Sequence, residues 1–212
     1  LTYASNYGID NTKIDTHMMK NMEWGSVAYL SSSIYGRYTN STTCIASGCE
    51  VWVNNNSNFT TGCAGASVSA SSATTCNVWN TTLGVNASTT GNQYGIYDMS
   101  GDSREYVMGN MVNASGNFYS SNAGFSAAPD SKYYNSYAYD ATSNTTHTRG
   151  LLGDATKETL KTFGSGSGGW NSDNAYFPYG TNSWFLRGGH YNSASAAGDF
   201  TIYLDTGIGF GA

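Results

Sequence analysis

The residues best suited to covalent or metal chemistry are four cysteines, Cys44, Cys49, Cys63 and Cys76, and three histidines, His17, His147 and His190. The cysteines share one polar stretch rich in Gly, Ser and Thr. An even number in such a context reads as disulfides, with three pairings open to four cysteines. The pairs Cys44–Cys49 and Cys63–Cys76 are favoured, because each closes a local loop. A thiolate zinc site is the rival reading, but the C-x2-C knuckles that such sites use are missing. The histidines stand far apart with no H-x3-H spacing, and each reads as an exposed polar residue. There is no G-x-S-x-G nucleophile elbow and no paired-carboxylate signature. No Asp-x-Asp-x-Asp-Gly loop offers a calcium site. The residues themselves therefore predict no catalytic group, no metal ligand and no cofactor.

The composition narrows the remaining classes. The chain has 212 residues and a formal net charge of −5, with only 11% charged residues, against roughly 25% in an ordinary domain. Phosphate contacts need clustered Lys and Arg, so a nucleic-acid partner is excluded. No run of 18 or more apolar residues exists to insert directly into a membrane. Aromatics reach 14%, including 17 Tyr, which argues for a packed fold. Tyr set among Ser, Gly and Asn is the composition of adaptable binding surfaces, where a rigid ring gives contact area and small neighbours adjust their hydrogen bonds. The chain begins at Leu1 rather than Met, and the expectation is a mature or excised piece of something longer.

Few segments carry a helical period. Residues 17–29 do, through Met18, Met19, Met22, Val27 and Ala28, with Gly25 as an interruption. Residues 154–163 form a second candidate, with Asp154 as N-cap and Gly164 as stop. Residues 103–108 are a third, short one. Strand-like runs lie at 50–53, 95–99, 105–108, 184–187 and 199–204. In the last, Phe200, Ile202 and Leu204 alternate with Thr201, Tyr203 and Asp205. The stretches 67–75 and 164–169 are low in complexity. The Asn-x-Ser/Thr sequons at Asn40, Asn55, Asn58, Asn80, Asn86, Asn113 and Asn144 read as surface loops in a chain this rich in Asn, Ser and Thr. The expected organisation is a single α+β domain over residues 1–212, loop-rich, with short strands and few helices. Residues 1–15 are expected to be an arm or linker.

Three segments carry a resemblance. Thr90-Gly91-Asn92-Gln93-Tyr94-Gly95-Ile96-Tyr97-Asp98-Met99-Ser100-Gly101, followed by Arg104-Glu105-Tyr106-Val107-Met108-Gly109, resembles a core motif of the formylglycine-generating-enzyme (sulfatase-modifying-factor) family, a branch of the C-type-lectin-like fold. Trp184-Phe185-Leu186-Arg187-Gly188-Gly189-His190-Tyr191 resembles that family's R-G-G segment, and Gly207-Ile208-Gly209-Phe210 its closing strand, here followed by Gly211 rather than Arg, as though truncated. The likeness spans residues 16–212 and is loose over 110–182. It implies a scaffold role for Tyr97, Asp98, Gly101, Arg187, Gly188 and Gly189, with Ile96 and Met99 turned to a core. It also argues against catalysis. The family's copper cysteines follow the R-G-G segment, and here residues 192–198 contain no Cys, so soft Cu(I) has no thiolate.

The pattern is also similar to variable proteins of bacterial or phage diversity-generating retroelements, which use this fold for display. That likeness implies an extracellular binding face between residues 186 and 208. Its variable positions would be Leu186, His190, Asn192, Ser193, Ser195, Asp199, Thr201, Tyr203, Leu204 and Asp205. The implied partner is a protein or glycan on another cell or surface, met by a domain displayed on a cell surface, a pilus or a virion and acting in adhesion. Two alternatives stand beside it: a structural pilin-like or virion subunit, and an enzyme of the formylglycine-generating family with an atypical site.

Overall fold

The computed structural model describes residues 15, 17–38, 49–119, 125, 127–142, 149–162 and 164–205. It is a mixed α/β, loop-rich structure, with one α-helix and two small sheets among the described residues. The helix, α1 (Asn21–Ser31), starts where Glu23 Oε2 accepts a hydrogen bond from the Lys20 backbone N–H at 2.8 Å, satisfying a donor the first turn leaves open. Its buried residues are Asn21, Trp24, Gly25, Ala28 and Ser31, one stripe at helical spacing. This corrects the methionine-based face, since Met18 is 44% exposed. Gly25 is required there: a Cβ would stand 2.5 Å from the backbone carbon of Asp154.

The principal sheet runs β4 (Asn135–Tyr137), β3 (Glu105–Met111), β5 (Trp184–Gly188), β6 (Gly198–Asp205). Strand β4 is parallel to β3; the other pairings are antiparallel. The core face joins Trp24 and Ala28 of α1 to Val107, Phe185, Phe200 and Ile202 of the sheet, with Phe177 beside them. The opposite face is covered too. Met108 and Trp184 pack with Phe118, whose ring lies 5.9 Å from Trp184, and Phe125 stacks on Trp184 at 5.8 Å. A second, two-stranded sheet pairs β1 (Cys63–Ala64) with β2 (Asn77–Val78) and is stapled by the Cys63–Cys76 disulfide, one of the two expected pairs. The other pair involves Cys44, which lies outside the described residues. Cys49 is itself disulfide-bonded.

Several expected elements are different. Of the helix expected at 154–163, the described residues 154–162 form turns and bends rather than a helix. Ala155 is left-handed (φ 54°), which a helix interior does not tolerate. The Asp154 carboxylate, instead of capping a helix, is spent on its surroundings: Oδ1 accepts from Thr156 N–H and Oδ2 from Leu151 N–H and the Tyr137 hydroxyl. Residues 103–108 contribute to strand β3, not to a helix. Residues 50–53 and 95–99 form no strand; Ile96 is 46% exposed, while Met99 is buried as expected.

The interior beneath β5 and β6 is unusually polar. Arg187 is fully buried, with its guanidinium over the Trp24 ring and Nη2 donating to the carbonyls of Asp154 (3.1 Å) and Ala155 (3.4 Å). Asp199 accepts from the Ser31 hydroxyl at the end of α1, and its carbonyl accepts from Trp24 Nε1 at 2.7 Å. Asp173 accepts from the Phe200 N–H at 3.0 Å. Glu50 is buried nearby, beside Arg37, whose Nε donates to the Glu50 carbonyl at 3.0 Å.

Candidate ligand-binding surface

The turn between β5 and β6 is built by glycine. Gly188 and Gly189 have φ of 77° and 84°, and a Cβ on Gly189 would meet the Ala197 Cα at 2.7 Å, so only glycine lets the chain leave β5 this tightly. Gly101, also at positive φ, lies beneath them, its N–H donating to the Gly188 carbonyl at 2.9 Å. The chain then turns outward. Ser193 N–H donates to the His190 carbonyl at 2.8 Å, and the Ser193 hydroxyl accepts from His190 N–H at 3.1 Å. Asn192 Oδ1 lies 2.8 Å from His190 Nδ1. A short 3₁₀ turn, Ala194–Ala196, returns the chain to β6.

The expected variable positions divide into three groups. His190, Asn192, Ser193 and Ser195 sit together on this tip, half-buried or exposed. Tyr203, Leu204 and Asp205 are half-buried at the other end of β6. Strand rise puts about 20 Å between the two ends. There the Tyr203 ring packs under the Arg104 guanidinium at 4.5 Å and against Tyr176 at 5.1 Å. Leu186, Asp199 and Thr201 are buried, which corrects their assignment to an exposed face. Leu186 lies in register between Tyr106 and Tyr203 on the covered side of the sheet. Asp199 is bonded to the end of α1, and Thr201 Oγ1 donates to the Ala196 carbonyl at 2.9 Å. These three hold the frame.

The expected scaffold residues lie close to the tip. Asp98 is left-handed (φ 62°) and accepts from Asn54 Nδ2 at 2.8 Å and Gly62 N–H at 3.0 Å, tying the disulfide-stapled unit to the strand-entry loop. Tyr97 donates its hydroxyl to the Trp79 carbonyl at 3.1 Å. Burial raises the Asp98 carboxyl above its ordinary range, with the Asn54 and Gly62 hydrogen bonds opposing. Asp102 is raised by burial and then by the charge of Asp98. Its backbone carbonyl accepts from Tyr191 N–H at 2.8 Å.

One residue at the surface had no signal in the sequence. Phe59 packs its ring edge-on to Tyr191 at 5.2 Å and to His190 at 5.8 Å, while 48% exposed. It reaches them from a left-handed backbone (φ 54°) that disfavours side chains. An aromatic in an Asn- and Thr-rich loop was the only hint. Among the described residues no group of three or more His, Cys, Asp or Glu is arranged to hold a metal. His17 lies elsewhere, paired with Glu23, and His147 falls outside the described residues. No helix among the described residues is long and apolar enough to cross a membrane. Compared with protein-family models, curated proteins and solved structures, the chain matches none.

Proposed function

We propose that the chain is a non-catalytic, extracellular ligand-binding domain with a C-type-lectin-like fold, whose tip is diversified by a retroelement. The observation that supports this reading best is the contrast around the twin glycines. Strand β5 is buried along its whole length, and the turn that follows carries His190, Asn192, Ser193 and Ser195 outward. Side chains on such a turn can change without disturbing the core. The Cys63–Cys76 disulfide is compatible with an oxidising, extracellular setting. Display on a pilus or virion, and a protein or glycan as the target, belong to the same proposal. Comparing the locus across sibling strains tests it. Substitutions will concentrate at His190, Asn192, Ser193 and Ser195 and spare Leu186, Asp199 and Thr201. An even spread along the chain would defeat the diversification reading.

A second reading, a subunit that mainly contacts its own copies, is favoured by one observation. Val78, Trp79, Leu83, Tyr94 and Ile96, five of the large apolar side chains left exposed, all fall in the disulfide-stapled unit and the loop that follows it. Exposed apolar groups gathered in one unit mark contact surfaces. On that reading the purified domain self-associates with rising concentration, and Trp79→Ser returns it to monomer. A monomer at every concentration in sedimentation would remove the alternative.

A further inference from the structure

We propose that the ring cluster of Phe59, His190 and Tyr191, with the Asp102 and Asp98 carboxyls behind it, receives a cationic group, the ammonium of a lysine side chain on a partner protein. This rests on the binding-tip reading above and names the chemistry of its target. The rings supply one half of the argument. Three aromatic groups meet at centroid separations of 4.2, 5.2 and 5.8 Å, with Phe59 exposed at the outer side. Ring faces attract a cation through their quadrupoles.

The carboxyls supply the other half. Asp98 spends its oxygens on Asn54 and Gly62. Asp102 is only 9% exposed, and its buried Oδ1 has no hydrogen-bond partner. Its backbone carbonyl accepts from the Tyr191 N–H at 2.8 Å, which ties Asp102 to the ring cluster. Glu105, exposed at the start of β3, adds a further acidic group to this stretch of chain. No ion pair to Asp98, Asp102 or Glu105 occurs among the described residues; the nearby Arg104 guanidinium is turned to Tyr203 instead. A buried acceptor without a donor is costly, and a cation arriving through the rings satisfies it. A neutral sugar satisfies the hydrogen bond but not with the charge-assisted donor that suits a carboxyl best.

The test titrates the whole chain with N-acetyl-lysine methylamide and, separately, its neutral isostere N-acetyl-norleucine methylamide, followed by amide NMR shifts. The lysine compound is expected to perturb residues 59, 102 and 190–193 and to bind about tenfold more tightly than the norleucine compound. Asp102→Asn will abolish that difference. Phe59→Gly will weaken binding while leaving the thermal midpoint unchanged or higher, because glycine accepts φ 54° without strain. A merely structural Phe59 would lower the midpoint instead. Phe59→Leu, which keeps apolar bulk without a ring face, will also weaken the lysine compound. Equal binding of the two compounds, no perturbation up to their solubility, or undiminished binding by Asp102→Asn would each overturn the proposal. Those outcomes leave the strain comparison untouched, so this inference and the diversified-tip reading fail separately.

Discussion

Replacing Arg187 by Met will destabilise the protein by roughly 3–5 kcal/mol, the range found when one partner of a buried ionic network is removed. Methionine fills similar volume, so the loss reports the charge rather than a cavity. Arg187 is fully buried, and Asp154, Asp199 and Asp173 each act on it electrostatically. Its Nη2 also satisfies the carbonyls of Asp154 and Ala155, which methionine leaves without a donor. The burial that makes it valuable also holds its own pKa down, to about 10. With domain stabilities of about 5–15 kcal/mol, the variant sits near the threshold of folding. Urea unfolding measures it, and the loss will be smaller at pH 5, where Asp199, raised to about 6 by burial, is more protonated. A variant within about 1 kcal/mol of the parent would mean that packing, not charge, holds this centre. Arg187 lies at the root of the exposed turn, so the proposed binding tip depends on it.

How much of this was legible in the sequence depended on whether the decisive contact was local. Strands β5 and β6 follow from the period-two pattern and the R-G-G segment, and both formed. Helix α1 was legible as a helix but not in its orientation. Its buried stripe contains Asn21, Gly25 and Ser31, which apolar periodicity cannot register. Asn21 is inside because its amide donates to the Tyr137 hydroxyl, and Gly25 because the Asp154 loop presses on it. The helix expected at 154–163 failed for the matching reason: Asp154 is bonded by the Tyr137 hydroxyl, a contact no window of ten residues contains, and by the Leu151 N–H just ahead of the expected start. For the tip, alternation along β6 suggested that every second residue faces water. Both faces of the sheet are covered near Leu186 and Thr201, so the alternation chose between two interiors. Phe59 was out of reach, since its role exists only once a distant loop folds over residues 190 and 191.

Between pH 5 and pH 8 the folded protein will lose stability, by about 3 kcal/mol. The cause is a set of buried acids with raised pKa values. Burial, then the charge of Asp199, pushes the Glu50 carboxyl up to about 8. Burial pushes Asp199 up to about 6, against the opposing hydrogen bond from Ser31. Asp173 is raised well above its ordinary value, again first by burial and then by Glu50 and Asp199. In the unfolded chain these groups release their protons near 3.8 to 4.5. Over the window from there to about 8 the unfolded state therefore loses protons that the folded state retains, and rising pH favours unfolding. Acids lowered by their surroundings, Asp15, Glu23 and Asp140, act in the opposite sense and only below their ordinary values, so they do not offset the loss above pH 5. Urea unfolding at several pH values reads the slope, and Glu50→Gln, which keeps the shape and removes the titration, will flatten it. A parent protein whose stability holds or rises from pH 5 to 8 would show that this interior is hydrated and ordinary. The acids stand at the origin of β6, with Asp173 holding the Phe200 N–H and Asp199 tied to α1. The charge strain thus falls on the strand that carries the exposed turn back into the core, and lowering the pH from 8 toward 5 tightens the frame from which that turn projects.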